Sequence, residues 1–128
     1  ILEHERRLLA RMAGALSDCE GIELFCGNKE RQSGVLSIRM RGIDCEALAQ
    51  FLSQHGICAR PGLHCAPYAH RTAGTLDSGT LRFSFSPFNT EREIDRVTDF
   101  RHYESLPQVS REDTRAWSAI YCQSRSRR

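Results

Sequence analysis

The order in which helical and strand-like patterns follow one another constrains the fold of this chain most. Residues 2–17 place apolar side chains at helical spacing, whereas residues 35–40, V-L-S-I-R-M, are typical of a short strand. The predicted elements are, in chain order, a helix over 2–17, strands over 22–26 and 35–40, a helix over 45–55, strands over 57–59 and 81–85, and a helix from Thr90 through Phe100. This order predicts an α+β domain with helices packed on one face of a small, mostly antiparallel sheet.

Capping residues support the predicted helix ends. Asp44 is a suitable N-cap for the second helix, and Gly56 stands where a left-handed C-cap is expected. Thr90 and Glu93 have the spacing of a capping box at the start of the last helix. In the last strand, L-R-F-S-F, strict alternation places Arg82 on the face opposite the apolar side chains.

Composition limits the class of protein. A length of 128 residues fits one domain, and no apolar run approaches the roughly 20 residues of a membrane-spanning helix. A net charge of +2 is too small to indicate a nucleic-acid partner. Residues 1–20 carry charges among their leucines and are not a signal peptide. Six cysteines without a C-x-x-C pair predict reduced thiols in the cytoplasm.

The composition changes near residue 101. We expect residues 1–100 to form the domain and residues 101–128 to be a C-terminal extension that is partly helical or disordered. The basic end, S-R-S-R-R, is the only feature that favours a nucleic-acid binder, and short terminal charge runs are usually just solvated. We therefore expect neither a nucleic-acid nor a membrane partner.

Residues 57–90 contain the side chains that are the best candidates for catalysis or ligand binding. Cys65 follows His64 and lies between Arg60 and Arg82 in the sequence, and nearby cations favour the reactive thiolate. The alternative is a small buried hydrophobe, and spacing alone leaves both interpretations of Cys65 open. The buried interpretation is favoured for the other cysteines, which are Cys19, Cys26, Cys45, Cys58 and Cys122.

A zinc site is a weaker hypothesis. His64, Cys65, His70 and Cys58 offer four ligand types, but their spacing matches no familiar zinc site. No metal is therefore expected, and His70 is interpreted as a helix-surface or turn residue.

Arg82 requires a partner because its guanidinium lies within a strand among phenylalanines. A carboxylate bound by both arms of the guanidinium is the natural ligand. The alternative is a structural salt bridge to an Asp or Glu. Arg60 is a weaker candidate for binding a carboxylate in the same way.

The chain resembles the C-terminal part of cysteine desulfurases in two runs, R-P-G-L-H-C-A-P-Y-A-H-R-T-A-G-T and G-T-L-R-F-S-F-S-P-F-N-T-E-R-E-I-D. These enzymes have the class V aminotransferase fold and use pyridoxal phosphate. The resemblance covers residues 1–100 and implies the small C-terminal domain of a fold-type I pyridoxal-phosphate enzyme.

The resemblance also implies a mechanism and its partners. A cysteine matching Cys65 takes sulfur from L-cysteine as a persulfide and alanine is released, while the arginine matching Arg82 holds the substrate carboxylate. Arg60 and His64 match positions with supporting roles. The implied setting is a homodimeric parent enzyme that passes sulfur to an acceptor protein, as in iron–sulfur cluster assembly.

One departure from the family concerns the cofactor. Such enzymes hold pyridoxal phosphate as a Schiff base on lysine, and the only lysine here, Lys29, does not match that position. We therefore expect no cofactor-binding residue in this chain, a large pyridoxal-phosphate-binding domain as its partner, and no turnover by this truncated domain alone. Alternatives are a selenocysteine lyase, another class V aminotransferase-fold enzyme, or a non-catalytic sulfur-carrier or interaction module.

Overall fold

In a computed structural model, the described residues 1–28 and 31–99 fold into four helices and four strands. The elements are α1 (Leu2–Ser17), β1 (Ile22–Phe25), β2 (Val35–Met40), α2 (Cys45–Gln54), β3 (Arg60–Gly62), α3 (Pro67–Ala73), β4 (Thr80–Ser84) and α4 (Glu91–Val97). The predicted α+β class is confirmed.

The sheet is open, with strand order β1-β2-β4-β3, and each neighbouring pair is antiparallel. Alternation along the central strands divides its two faces. Leu36 and Ile38 of β2 and Leu81 and Phe83 of β4 are buried on one face. The register pairs Ser37 of β2 with the partly exposed Arg82 on the other face, as the alternation in L-R-F-S-F predicted.

The hydrophobic core lies between the first of these faces and three of the helices. Leu8 and Met12 of α1, Leu48 of α2 and Ile94 of α4 are 4% exposed or less and belong to the same buried cluster as the sheet residues. One apolar stripe per helix is the pattern that covers one face of an antiparallel sheet. The opposite face is left available for polar residues.

Both predicted N-caps form. The Asp44 side chain accepts hydrogen bonds from the backbone nitrogens of Glu46 and Ala47, which caps the first turn of α2. At α4, the Thr90 side chain accepts from the Glu93 nitrogen while the Glu93 carboxylate accepts from the Thr90 nitrogen.

Two local predictions were wrong. The strand expected at 57–59 instead occupies Arg60–Gly62, and Pro61 of this strand pairs with Leu81. β3 is an edge strand, where a proline removes no hydrogen bond that the sheet needs. The helix α3 was not predicted; it begins at Pro67 and ends at Gly74, which adopts the left-handed conformation.

The last helix, predicted from Thr90 through Phe100, is shorter than expected: α4 ends at Val97 and Thr98 is its C-cap. The predicted extension over 101–128, including its helical and disordered alternatives, lies outside the described residues. Among the residues that the structure describes, no helix has the length and apolar character needed to cross a membrane.

Candidate functional site

Two arginines stand side by side on the polar face of the sheet. Arg60 of β3 is the direct cross-strand partner of Arg82 of β4. Like charges at directly opposed positions of an antiparallel pair destabilise the sheet. Within residues 1–28 and 31–99, no carboxylate lies within 4.0 Å of either guanidinium, and the buried Nε of Arg82 has no hydrogen-bond partner. The structural salt bridge considered for Arg82 is therefore absent from this part of the chain.

Arg39 shows what a structurally paired arginine looks like on the same face. Its guanidinium donates to Glu23 at 3.0 Å through Nε and to the Gly74 carbonyl at 3.2 Å through Nη1. A further contact joins Arg39 to Ser78 at 3.4 Å. The absence of such contacts at Arg82 indicates a cation whose ligand comes from outside the described residues.

His64 lies beside the arginine pair. Its Nε2 is 3.4 Å from the Thr80 hydroxyl, and its Nδ1 is buried without a hydrogen-bond partner among the described residues. Burial is the main cause that lowers the pKa of His64 below its ordinary value, and the charges of Arg82, then His70, lower it further. The imidazole is therefore neutral at neutral pH, and Nδ1 is an available proton donor or acceptor.

Cys65 is exposed, so it is not the buried small hydrophobe of the alternative interpretation. Its φ is +60° and that of His64 is +53°, which places two consecutive non-glycine residues in the left-handed region. This conformation is costly for residues with a Cβ and concentrates at functional segments. The turn projects the thiol directly before α3, one residue from its N-cap Ala66.

The other cysteines are less uniform than predicted. Cys19 is buried and Cys26 and Cys45 are partly buried, in line with a packing role, but Cys58 is exposed. The buried interpretation of Cys58 was wrong because the segment before β3 is a surface connection rather than a strand. Cys122 lies outside the described residues. Within the described part of the chain, no group of three or more His, Cys, Asp or Glu side chains is arranged to hold a metal ion.

His70 was assigned to a surface or turn, and this was wrong. It lies in α3 with 7% of its surface exposed, and its Nδ1 is 2.7 Å from the hydroxyl of the buried Thr75. The ring centroids of His64 and His70 are 5.9 Å apart. The sequence contained one relevant indication: Pro67 and Gly74 bracket a seven-residue helix that places His70 mid-helix.

Comparison with known proteins identifies the family. The family model for class-V aminotransferases matches residues 1–97, and the chain belongs to this family. The chain is 38% identical over 81 residues to a probable cysteine desulfurase of Haemophilus influenzae, covering 62% of this chain and 17% of that protein. It is 33% identical over 96 residues to probable cysteine desulfurase 2 of Mycobacterium leprae, covering 73% of this chain and 22% of that protein.

Solved structures show the same likeness. The cysteine desulfurase CsdA (S-sulfonic acid) from Escherichia coli aligns with a TM-score of 0.74 and 28% identity over 83% of this chain and 26% of that one. The apo cysteine desulfurase from Thermococcus onnurineus aligns with a TM-score of 0.72 and 25% identity over 79% of this chain and 25% of that one. The predicted resemblance is confirmed, and the chain spans about a sixth to a quarter of the length of these proteins.

The described residues do not by themselves fit pyridoxal phosphate. A Schiff-base site needs a lysine, and residues 1–28 and 31–99 contain none, because Lys29 is the only lysine of the sequence. What these residues offer is a paired cation, a neutral imidazole and an exposed thiol. This set suits an anionic ligand held by the arginines beside a reachable thiol.

Proposed function

We propose that this chain forms the substrate-anchoring and sulfur-accepting part of a pyridoxal-phosphate-dependent cysteine desulfurase. The parent enzyme takes sulfur from L-cysteine as a persulfide on Cys65 and releases alanine. The observation that carries the proposal is the opposed pair Arg60–Arg82, which has no carboxylate partner in the described residues and lies beside the His64–Cys65 turn.

Arg82 binds the α-carboxylate of the substrate. A planar guanidinium whose Nε is buried and unpartnered gains a charge-assisted hydrogen bond when a carboxylate arrives. Arg60 adds a second positive charge across the strand pair and so strengthens the attraction. The ligand in turn removes the repulsion between the two arginines.

Cys65 receives the sulfur. Its thiolate attacks the sulfur of L-cysteine, an S–S bond forms and the Cβ–S bond breaks; the electron pair stays on carbon, which takes a proton to give alanine. Neutral His64, adjacent in the chain, exchanges a proton through Nδ1 during this step. The exposed position of Cys65 leaves its persulfide accessible to an acceptor protein.

The cofactor belongs to the large domain of the parent in this proposal. Pyridoxal phosphate supplies the electron sink that makes the Cβ–S bond labile. We place the parent in the cytoplasm, where thiols stay reduced, as a homodimer serving iron–sulfur cluster assembly. Exposed apolar side chains such as Phe88, at 92%, suit contact with a further domain.

The test combines the chain with the large domain of its parent, pyridoxal phosphate and L-cysteine. We expect sulfide release in the presence of a reductant, loss of at least about 99% of it in Cys65→Ser, and a raised KM in Arg82→Lys. Cys58→Ser is the matched control, because Cys58 is also exposed and is expected to leave the rate unchanged. Undiminished sulfide release by Cys65→Ser would refute the proposal.

A sulfur-carrier role without the cofactor is the second candidate, favoured by the exposure of Cys65. Incubation of the chain alone with a small-molecule persulfide donor, followed by mass spectrometry of peptides, distinguishes the two. Preferential addition of sulfur at Cys65 over Cys58 supports a carrier step, whereas equal addition at both thiols reflects exposure only. Replacing L-cysteine by L-selenocysteine in the enzyme assay tests the selenocysteine lyase alternative.

A further inference from the structure

The polar residues that are buried in the described part of the chain lie together. They are His70, Thr75 and Thr80, with 7%, 1% and 3% of their surfaces exposed. Burying polar side chains costs free energy that an apolar residue of similar volume avoids. Two of them, His70 and Thr80, adjoin His64, so the polar burial is confined to the region behind the candidate site.

His70 and Thr75 tie α3 to the loop that follows it. The Nδ1 of His70 and the Thr75 hydroxyl are 2.7 Å apart, and the Thr75 backbone nitrogen donates to the His70 carbonyl at 2.8 Å. This pair fixes the rotation of the His70 ring as well as the end of the helix. Since α3 begins two residues after Cys65, the same pair holds the chain that leaves the left-handed turn.

His64 is partly buried and lies between His70 and Thr80 of the sheet. The His70 ring stands 5.9 Å from the His64 ring at an interplanar angle of 42°, and Thr80 of β4 contacts the other ring nitrogen of His64 at 3.4 Å. Only Nδ1 of His64 is left without a partner among the described residues. The orientation of that nitrogen therefore depends on the position of the His70 ring.

Charged and titratable groups approach His64 from each neighbouring element. Arg82 comes from β4, Arg60 from β3 and His70 from α3, while Cys65 adjoins His64 in the chain. Burial and the positive charges of Arg82 and Arg60 act in the same direction, against protonation of His64. A His64 ring that rotated into solvent would lose the burial contribution.

We propose that His70 is a positioning residue: held by Thr75, its ring keeps His64 against Thr80 with Nδ1 available to exchange a proton at the site. This role rests on the proposed function only where it concerns catalysis. The arrangement of His64 itself is a property of this chain and is measured without turnover.

The first experiment records histidine side-chain ¹⁵N NMR spectra of the full 128-residue chain across pH. In the unaltered chain we expect His64 to be a single tautomer that titrates below the ordinary value of about 6.5. In His70→Leu we expect a mixture of tautomers and a titration midpoint shifted toward that value. Thr75→Val removes only the hydroxyl contact, and we expect it to change the tautomer and the titration midpoint of His64 in the same direction as His70→Leu. His70→Asn restores a side-chain nitrogen, and we expect it to return both quantities toward those of the unaltered chain.

Backbone amide spectra establish that each variant is folded. If His70→Leu does not fold, the tautomer and titration of His64 in Thr75→Val provide the test. His55→Leu is the matched control, because His55 is a partly buried histidine at the C-cap of α2 and is expected to leave His64 unchanged. An unchanged tautomer and titration of His64 in folded His70→Leu or Thr75→Val would overturn the proposal.

The second experiment measures sulfide release by the parent enzyme reassembled with His70→Leu. We expect kcat to fall about tenfold with KM for L-cysteine changed less than about twofold, because the arginine pair is untouched. A change in KM alone contradicts a positioning role. If Cys65→Ser remains active the proposed function fails, whereas the NMR result on His64 stands or falls independently.

Discussion

The pair Arg60–Arg82 is unfavourable for folding but suited to binding an anion. Folding places the two guanidinium groups on directly opposed strand positions, where like charges repel. Nothing in the described residues offsets this repulsion, so an anionic ligand stabilises the chain by occupying the pair. Arg39, two strand positions from Ser37 on the same face, is neutralised by Glu23 and needs no ligand.

We predict opposite effects of the same substitution at Arg82 and Arg39. Arg82→Gln removes a repulsion and is expected to raise the free energy of unfolding by about 0.2–1 kcal/mol. Arg39→Gln loses the partly exposed ion pair with Glu23 and is expected to lower it by a similar amount, about 0.2–1 kcal/mol. Urea unfolding of the two variants under identical conditions measures the difference. A destabilised Arg82→Gln would mean that Arg82 has a structural partner.

The sequence predicted the sheet face on which Arg82 lies but not the buried residues near it. Alternation within L-R-F-S-F is a local property, so the side on which Arg82 lies was predictable. The burial of His70 was not, because it depends on contacts of α3 with the sheet, which no local pattern encodes. The exposure of Cys58 was missed for a different reason, because the strand was predicted at 57–59 and forms at Arg60–Gly62.

At the scale of elements, the loop between α3 and β4 controls where β3 lies. Gly79 has φ +62°, and a Cβ there would lie 3.2 Å from the Cys45 sulfur and from the Gly62 backbone. Gly62 belongs to β3, the strand that carries Arg60 and leads to His64. Space at Gly79 therefore allows β3 to approach β4.

We expect Gly79→Ala to be more destabilising than Gly74→Ala. Gly74 has a similar φ of +69° but no atom within 4 Å of the added Cβ, so alanine there costs only the left-handed conformation, about 1 kcal/mol. Gly79→Ala adds contact with backbone and is expected to cost about 2–3 kcal/mol. Denaturant unfolding of both variants tests this; equal losses would show that β3 shifts freely.

The capping box of α4 predicts a pH dependence of stability. Hydrogen bonds from the Thr90 backbone and hydroxyl are the main causes that lower the pKa of Glu93 in the folded chain. A lowered folded pKa means that this stabilisation is present above the unfolded pKa and is lost as pH falls through the folded pKa. The free energy of unfolding should therefore decrease as pH is lowered below about 4.5.

Glu93→Gln is expected to flatten this acidic decrease, and Thr90→Val to reduce it in part. Asp95, whose pKa is lowered chiefly by its hydrogen bond with Arg11, contributes the same trend to all three proteins, so the difference between slopes is the informative quantity. Urea unfolding between pH 3 and 7 gives the slope of the free energy of unfolding against pH for each protein. We expect the slopes of Glu93→Gln and the unaltered chain to differ by an amount on the order of the titration of one carboxylate. Parallel slopes for Glu93→Gln and the unaltered chain would exclude the capping contribution.

Long elements with one apolar stripe were predictable, and short ones were not. α1 and β2 have the predicted bounds because their periodicity extends over many residues. α3 buries one residue, His70, and therefore has no stripe to detect. At β3 the turn tendency of Pro61–Gly62 was outweighed by pairing with β4, a contact made across about 20 residues of sequence.

At the scale of the whole molecule, the described residues form a folded domain that matches only part of the length of its relatives. It has its own core beneath one sheet face and leaves apolar side chains exposed, among them Tyr68 at 75% on α3 and Phe88 at 92% before α4. Large exposed apolar side chains are typical of a surface that another domain covers. The aligned part of the chain makes up 17% of the Haemophilus influenzae relative and 26% of the Escherichia coli structure, so these proteins are about three to four times as long as this chain.

In the proposed function, the large domain of the parent holds the cofactor and this chain supplies the thiol and the arginine pair. We expect the 128-residue chain mixed with pyridoxal phosphate to develop no stable Schiff-base absorbance and to release no sulfide from L-cysteine, because Lys29, the only lysine of the sequence, does not match the cofactor lysine that the family resemblance implies. Lys29→Arg is the control: a band that disappears with this substitution identifies attachment at Lys29. Absorbance titration and borohydride reduction followed by mass spectrometry measure both outcomes. A stable band together with sulfide release from the chain alone would show that the domain is sufficient, and the large domain would then have to regulate the reaction instead of holding its cofactor.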